Sequence, residues 1–297
     1  MARLGAFVRG SYPLPLSPVF AAAWATGATG LFAAADPRVQ HWRPGWGTLV
    51  AVLTVVVDLL LLRIADDLRD LPYDRRHHPT RPLASGAVTP RDLTVLATVG
   101  ALAVLALNAG DRPAQLLLAA QLAYTAALVG SELGLGWPRG DAVVTGVLLS
   151  SPVQVLLNLY LYARFLADTG LSPDRHALAV LAAVTLAATH HELARKLVRA
   201  PGPHERSYVR VFGLSATTAA TCGFAVANGA VALAALSPWE GGARAWGWSA
   251  LLPLLLVAAA GRTFVRTAAP RWPAYATVGY LPAVFLCYLL IGVAVTS

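Results

Sequence analysis

The sequence predicts an all-α, polytopic membrane protein of about nine transmembrane helices, and three observations predict it. Of the 297 residues, 57% are hydrophobic and 13% charged, with a mean hydropathy of +0.59. A soluble domain of this length would carry roughly twice that share of charge. Apolar stretches of the ~20 residues needed to cross a bilayer recur nine times. The basic residues divide unevenly between the two sides those stretches define.

The elements follow in order. The first span, 16–34, is long enough to cross, so "MARLGAFVRGSYPLPLSP" reads as a short cytoplasmic lead that stays attached rather than a cleavable signal peptide. The second, 47–68, is a run of Leu and Val that ends abruptly in charge. Spans three (92–110), four (114–133) and six (176–194) have short neighbouring loops and Ala-rich sequence, which scores weakly on insertion scales. The fifth, 143–166, carries polar residues at regular spacing. The seventh, eighth and ninth, 211–236, 247–266 and 275–296, complete the set. Cys222 and Cys287 both fall inside spans, which marks them as packing residues rather than a disulfide.

With the N-terminus inside, 17 of the 23 basic residues lie on the inner side, and an odd number of spans puts the C-terminus outside. The formal net charge of +8 is then mainly a topology signal, with some affinity for anionic lipid headgroups. No soluble basic domain is present to bind nucleic acid. No soluble module interrupts the spans, so residues 1–297 read as a single membrane domain. Two charge-dense loops, 63–91 and 190–210, fall four spans apart on the same side, as if two halves met over one site.

The first of these begins "RIADDLRDLPYDRRHHPTRPLASG". Asp66, Asp70 and Asp74 are spaced i, i+4, i+8, along one face of a continuing helix, with Asp67 flanking them. Four carboxylates this close repel unless a hard divalent cation sits among them, and Mg²⁺ is usually held by one or two carboxylates together with phosphate oxygens. Arg75, Arg76 and Arg81 would meet the rest of a diphosphate through forked hydrogen bonds. The competing reading is a solvated loop of mutually neutralising charge, which the regular spacing at the end of a span disfavours. Asp58 lies deeper in the span, where a carboxyl is costly and is by default functional or paired, with Arg63 as a candidate partner.

The stretch "DDLRDLPYDRRHHPTRPLASG" resembles the first aspartate-rich motif of the UbiA superfamily of intramembrane prenyltransferases, NDxxDxxxD followed by RPLxxG. On that resemblance Asp66 takes the Asn position, Asp67, Asp70 and Asp74 the three Asp positions, and Arg81 the arginine of RPL. The departures are Asp66 itself and Pro72. Because Pro72 lacks an N–H and disfavours helix at Leu71, Asp74 is expected on a kinked turn. The resemblance implies a UbiA-like bundle around a central cavity, a cytoplasmic active site and Mg²⁺, with Asp67, Asp70, Asp74 and Glu192 as catalytic residues.

The second loop, "THHELARKLVRAPGPHERSYVRVFG", stands where the superfamily has a second motif of DxxxD type, yet it holds no aspartate. Glu192 and Glu205 could hold a second Mg²⁺, with Arg195, Lys196 and Arg199 on phosphate. The alternative for Glu192 and Lys196 is an ordinary i, i+4 helix pair. Zinc is disfavoured, because the adjacent histidines of His77–His78 and His190–His191 diverge on a helix. A YxxxKR-like stretch of the superfamily is not matched: "YTAALVGSELGLGWPRGD" has Tyr124 but no lysine, leaving Arg139 to substitute, with Glu132 and Asp141 supplying acidity.

In the fifth span Gln154, Asn158 and Tyr162 recur every four residues, a polar stripe that should face protein or a cavity. Tyr124, Phe165, Phe224 and Tyr280 are possible wall residues, since aromatic faces stabilise an allylic cation. The leading functional expectation is Mg²⁺-dependent ionisation of an isoprenyl diphosphate, with transfer of the prenyl group to a lipophilic or aromatic acceptor. The closest rival is a UbiA-type terpene cyclase, which quenches the cation within its own chain. A transporter is the remote alternative, disfavoured because the acidic groups cluster on one membrane side.

Overall fold

The computed structural model describes residues 2–12, 16–137 and 143–297. Among these the chain is helical, with no strand: α1 (Ala2–Ser11), α2 (Leu16–Ala35), α3 (Trp46–His77), α4 (Pro90–Leu107), α5 (Arg112–Leu135), α6 (Val143–Thr169), α7 (His176–Arg195), α8 (Val209–Leu236), α9 (Leu254–Arg266) and α10 (Ala274–Val295). Short 3₁₀ segments, Pro238–Glu240 and Gly242–Leu251, precede α9. Among the described residues nine helices are long and apolar enough to cross a membrane, the eighth made of the second 3₁₀ segment and α9 together. Val95, Val99 and Leu102 on α4 are exposed, as expected of a surface that faces lipid rather than water. The chain is a multi-pass integral membrane protein.

The helices form two compact units, Met1–Ala25 with Trp46–Arg164, and Thr26–Gly45 with Phe165–Ser297, so α2 and α6 supply residues to both. In the first unit α3 packs on α4 and α5. Its 32 residues reach about 48 Å at 1.5 Å per residue, well beyond a hydrocarbon core of about 30 Å. Asp66 lies about 30 Å along the helix, so the acidic residues begin where the apolar layer ends, whereas Asp58 remains inside it.

Contrary to the sequence expectation, α3 continues through Pro72 to His77, and Asp74 sits on helix rather than on a turn. The proline removes one N–H donor at an exposed position, and the His78 N–H to Asp74 carbonyl bond of 2.8 Å closes the turn beyond it. The next helix starts at a capping box: Thr89 accepts from the Asp92 N–H, Asp92 returns the bond to the Thr89 N–H, and Pro90 takes the first turn.

Within the amino-terminal lead, Ala2–Ser11 forms a helix. Phe7 of α1 is fully buried in a cluster with Ile64, Leu83, Val88 and Leu93, which fastens α1 to α3 and to the loop before α4. Further along, Thr54, Asn108 and Tyr160 form a buried chain: Asn108 Nδ2 donates to Thr54 Oγ1 at 2.9 Å, and Tyr160 donates to Asn108 Oδ1 at 3.1 Å. Such bonds join helices where the surrounding lipid offers no hydrophobic drive.

In the second unit α7 packs along α8 and against α10. Asn228 donates to the Ala183 carbonyl and to the Tyr288 hydroxyl, and accepts from Tyr280. The carboxyl-terminal half of α2 meets α10 at Gly30 and Gly292, where a Cβ on Gly292 would lie 2.5 Å from the Gly30 carbonyl oxygen. Only glycine permits that approach, the small-residue packing typical of membrane helices. Gly213, at φ 79°, breaks the first turn of α8 from the remainder.

Candidate functional site

The acidic residues of α3 divide into two kinds. At about 100° per residue, Asp67 and Asp74 lie within about 20° of each other on the helix surface, Asp70 is about 40–60° away, and Asp66 about 80–100°. The structure follows this drift. Asp67 and Asp74 are buried at 3% exposure, Asp70 is half-buried, and the Asp66 side chain is 63% exposed. The face is therefore centred on Asp67 and Asp74, not on the i, i+4, i+8 series with Asp67 at its flank. The four-residue step slips by about 40° each time, enough over two steps to carry Asp66 outward.

Each buried carboxylate is held by one arginine. Arg63 Nη2 lies 2.7 Å from Asp67 Oδ1, and Arg81 Nη1 donates to Asp74 Oδ2 at 2.7 Å. The other oxygens, Asp67 Oδ2 and Asp74 Oδ1, are buried without a hydrogen-bond partner. An unpaired buried carboxylate oxygen is costly, and native interiors rarely leave one. Arg81 is carried by a tight loop: its N–H donates to the His78 carbonyl, its carbonyl accepts from the Ser85 N–H, and Gly86 at φ 78° turns the chain toward α4. Arg75 and Arg76 are exposed at the end of α3. Arg69 turns away from the buried pair and bonds Glu132 Oε2 of α5 at 2.5 Å, with Asp66 3.9 Å distant.

Mg²⁺ takes oxygen ligands, keeps several waters and relies on one or two carboxylates plus phosphate. Two carboxylates with one unpartnered oxygen each, at the polar end of an apolar helix, fit that requirement. Among the described residues no group of three or more His, Cys, Asp or Glu gathers as a metal cage, so Asp67, Asp70 and Asp74 do not converge as three ligands, and a cation here would rest on one or two carboxylates with phosphate and water completing its shell.

The second charged loop is internally bonded. Glu192 Oε1 is 2.6 Å from Lys196 Nζ and accepts from the Tyr208 hydroxyl at 3.1 Å, while Oε2 pairs with Arg195. Burial, and then the neighbouring Glu192 carboxylate, push the Tyr208 phenol up from its ordinary value, so it stays a donor. Glu205 pairs with Arg271 and accepts from the Gly202 N–H. Arg199 donates to the Phe264 and Ala269 carbonyls and lies over the Phe264 ring. His190 and His191 each bond a backbone carbonyl, of Thr221 and Thr277 respectively.

Asp58 is fully buried, but its partner is Gln121 of α5, whose Nε2 lies 3.5 Å from Asp58 Oδ2, and not Arg63, which Asp67 takes. Asn158 of the polar stripe accepts from Trp24 Nε1 at 3.0 Å, whereas Gln154 and Tyr162 are half-buried. Tyr124 donates to the Leu149 carbonyl at 2.8 Å, joining α5 to α6. Arg139 and Asp141 lie outside the described residues. Sequence reasoning missed Arg63 as a partner of Asp67, Gln121 as that of Asp58, and Tyr208. Their polar placement within or beside apolar runs was the available signal, but partner choice depends on helix rotation.

In sequence, neither a family model nor a curated protein matches this chain. A solved structure does match: that of digeranylgeranylglyceryl phosphate synthase in membranes, a UbiA-superfamily prenyltransferase, at 13% identity over 99% of each chain with a TM-score of 0.56. The fold is UbiA-like. At this identity the likeness concerns the course of the backbone, and the UbiA-like bundle expected from the aspartate motif is the one observed.

Proposed function

We propose that this chain is a prenyltransferase: it ionises an isoprenyl diphosphate with the help of Mg²⁺ and gives the prenyl group to a lipophilic or aromatic acceptor. The observation that carries the reading is the pair Asp67 and Asp74, each with one oxygen on an arginine and one buried oxygen unpartnered, at the polar end of α3. The UbiA-like fold supports it.

Asp67 and Asp74, with Asp70 beside them, would hold the cation. When bound, it supplies positive charge to the departing pyrophosphate. Arg81 donates to the phosphate oxygens and is held by its loop before substrate arrives. The apolar helices around the polar mouth keep water from the allylic cation. Glu192 and Glu205 would each have to release an arginine or lysine to hold a second cation, so the proposal places one cation, on α3. The proposal also puts the N-terminus and this site on the cytoplasmic side, from the distribution of arginine.

The test is purified protein in detergent with Mg²⁺ and isoprenyl diphosphates of about 10, 15 and 20 carbons, the range set by the substrate class. Products are extracted and weighed by mass spectrometry. Prenylated product that appears only once an aromatic or lipid acceptor is added supports transfer. A cyclic hydrocarbon or terpene alcohol released without acceptor selects the cyclase instead. No diphosphate release with any donor overturns both.

A further inference from the structure

The arginine loop approaches Asp67 and Asp74 from one side, and a different element, α1, approaches from another. Gly10 of α1 sits against the loop, where a Cβ would lie 2.8 Å from Pro82 Cγ, and Phe7 is sealed beneath Leu83 and Val88. Tyr12 donates to the Val56 carbonyl of α3 at 2.9 Å. These contacts fix the end of α1 on the Asp67 flank of α3.

At that end four buried polar atoms make no satisfactory hydrogen bond: Ser11 Oγ, Arg63 Nε, Asp67 Oδ2 and Asp74 Oδ1. Ser11, Arg63, Arg81 and Asp74 are all close enough to Asp67 to influence its charge. Two of the four atoms are donors and two are carboxylate oxygens. The Ser11 hydroxyl lies close enough to Asp67 to favour its charged form, yet neither Ser11 Oγ nor Asp67 Oδ2 completes a bond of full hydrogen-bond geometry. Ser11 is 8% exposed, so bulk water does not serve it. Buried groups in this condition call for a partner the protein does not itself supply, such as an ordered water or an ion.

The complement of two carboxylate oxygens beside an N–H and an O–H donor is a cation bound to an anion. We infer that Ser11 and Arg63 Nε donate to a diphosphate oxygen on the α1 side of the carboxylate pair. The diphosphate is thus gripped by the amino-terminal helix as well as by the Arg81 loop, and α1 belongs to the site. This rests on the metal–diphosphate reading above, and it assigns two further binding residues to it. Gly10, where a Cβ would press on Pro82, lets α1 lie close against the Arg81 loop.

The test is direct binding of inorganic pyrophosphate, with Mg²⁺ present, to the full-length protein in detergent by calorimetry. Because it measures binding without turnover, it is independent of donor and acceptor. Ser11→Ala and Arg63→Lys should each weaken pyrophosphate by roughly tenfold or more, the worth of one hydrogen bond to a charged group. Ser11→Thr keeps the hydroxyl and should bind within about threefold of wild type. Arg63→Lys retains a cation beside Asp67, which guards the fold. Wild-type affinity in either Ser11→Ala or Arg63→Lys overturns the inference while the underlying reading stands. Wild-type protein that binds no pyrophosphate sinks that reading, and this inference with it.

Discussion

Replacing Asp74 by asparagine separates what the residue does for the fold from what it does for chemistry. Asparagine keeps the shape and retains an oxygen to accept the 2.7 Å bond from Arg81. That bond loses its charge–charge character, a change of about 1 kcal/mol between charged and neutral hydrogen bonds. Against this, a buried charge is no longer taken out of water, and the Arg81 side chain, 38% exposed, keeps its own hydration. The two effects nearly cancel, so thermal unfolding followed by tryptophan fluorescence should shift by no more than about 1 kcal/mol. Turnover should behave differently, because an amide oxygen is a poor substitute for a carboxylate on Mg²⁺. A loss of at least about 100-fold is expected, the upper end of what removing mere supporting contacts costs at metal sites. Diphosphate release at saturating Mg²⁺ measures it. Turnover within a few-fold of wild type, in protein that melts normally, would refute the assignment of Asp74 to the cation.

Other outcomes follow from the same geometry. Gly292→Val places side-chain atoms against the Gly30 backbone and should destabilise the second unit by about 1–3 kcal/mol or more, read as a lower melting temperature. Tyr160→Phe removes the donor to Asn108 and should cost about 0.5–1.5 kcal/mol in the same assay, with the aspartate site untouched. The hydrogen bond from Arg38 holds the Asp36 carboxyl below its ordinary value, against partial burial. A depressed carboxyl stabilises the fold above its unfolded pKa, and that contribution is lost as pH falls through the folded value. Asp36→Asn should therefore melt earlier than wild type at neutral pH, and the two curves should converge in acid.

The aspartate cluster, the loop arginine and the membrane class were legible because each rests on local composition or spacing. Span 16–34 corresponds to Leu16–Ala35 and span 176–194 to His176–Arg195, near agreement that a ~20-residue apolar requirement enforces. What was not legible depends on rotation and on packing between distant segments. Spacing placed Asp66 in line with Asp70 and Asp74, but the true helical period puts Asp67 there. Pro72 argued for a kink, yet one missing hydrogen bond at an exposed position does not stop a helix anchored by Ile64 below it. The amino-terminal ten residues were too short and too mixed to declare a helix, and only the buried Phe7 reveals what holds it. Arg63 could have answered Asp58 or Asp67 by spacing alone, being five and four residues away. The i, i+4 geometry decided for Asp67.

The central claim is that Asp67 and Asp74 reserve their unpartnered oxygens for a metal-bound diphosphate, and an experimental structure with Mg²⁺ and an unreactive isoprenyl thiodiphosphate tests it most directly. The account predicts a cation about 2.1 Å from Asp67 Oδ2, Asp74 Oδ1 or both, bridged to the diphosphate. Diphosphate density elsewhere, with both carboxylates still facing only Arg63 and Arg81, would contradict it.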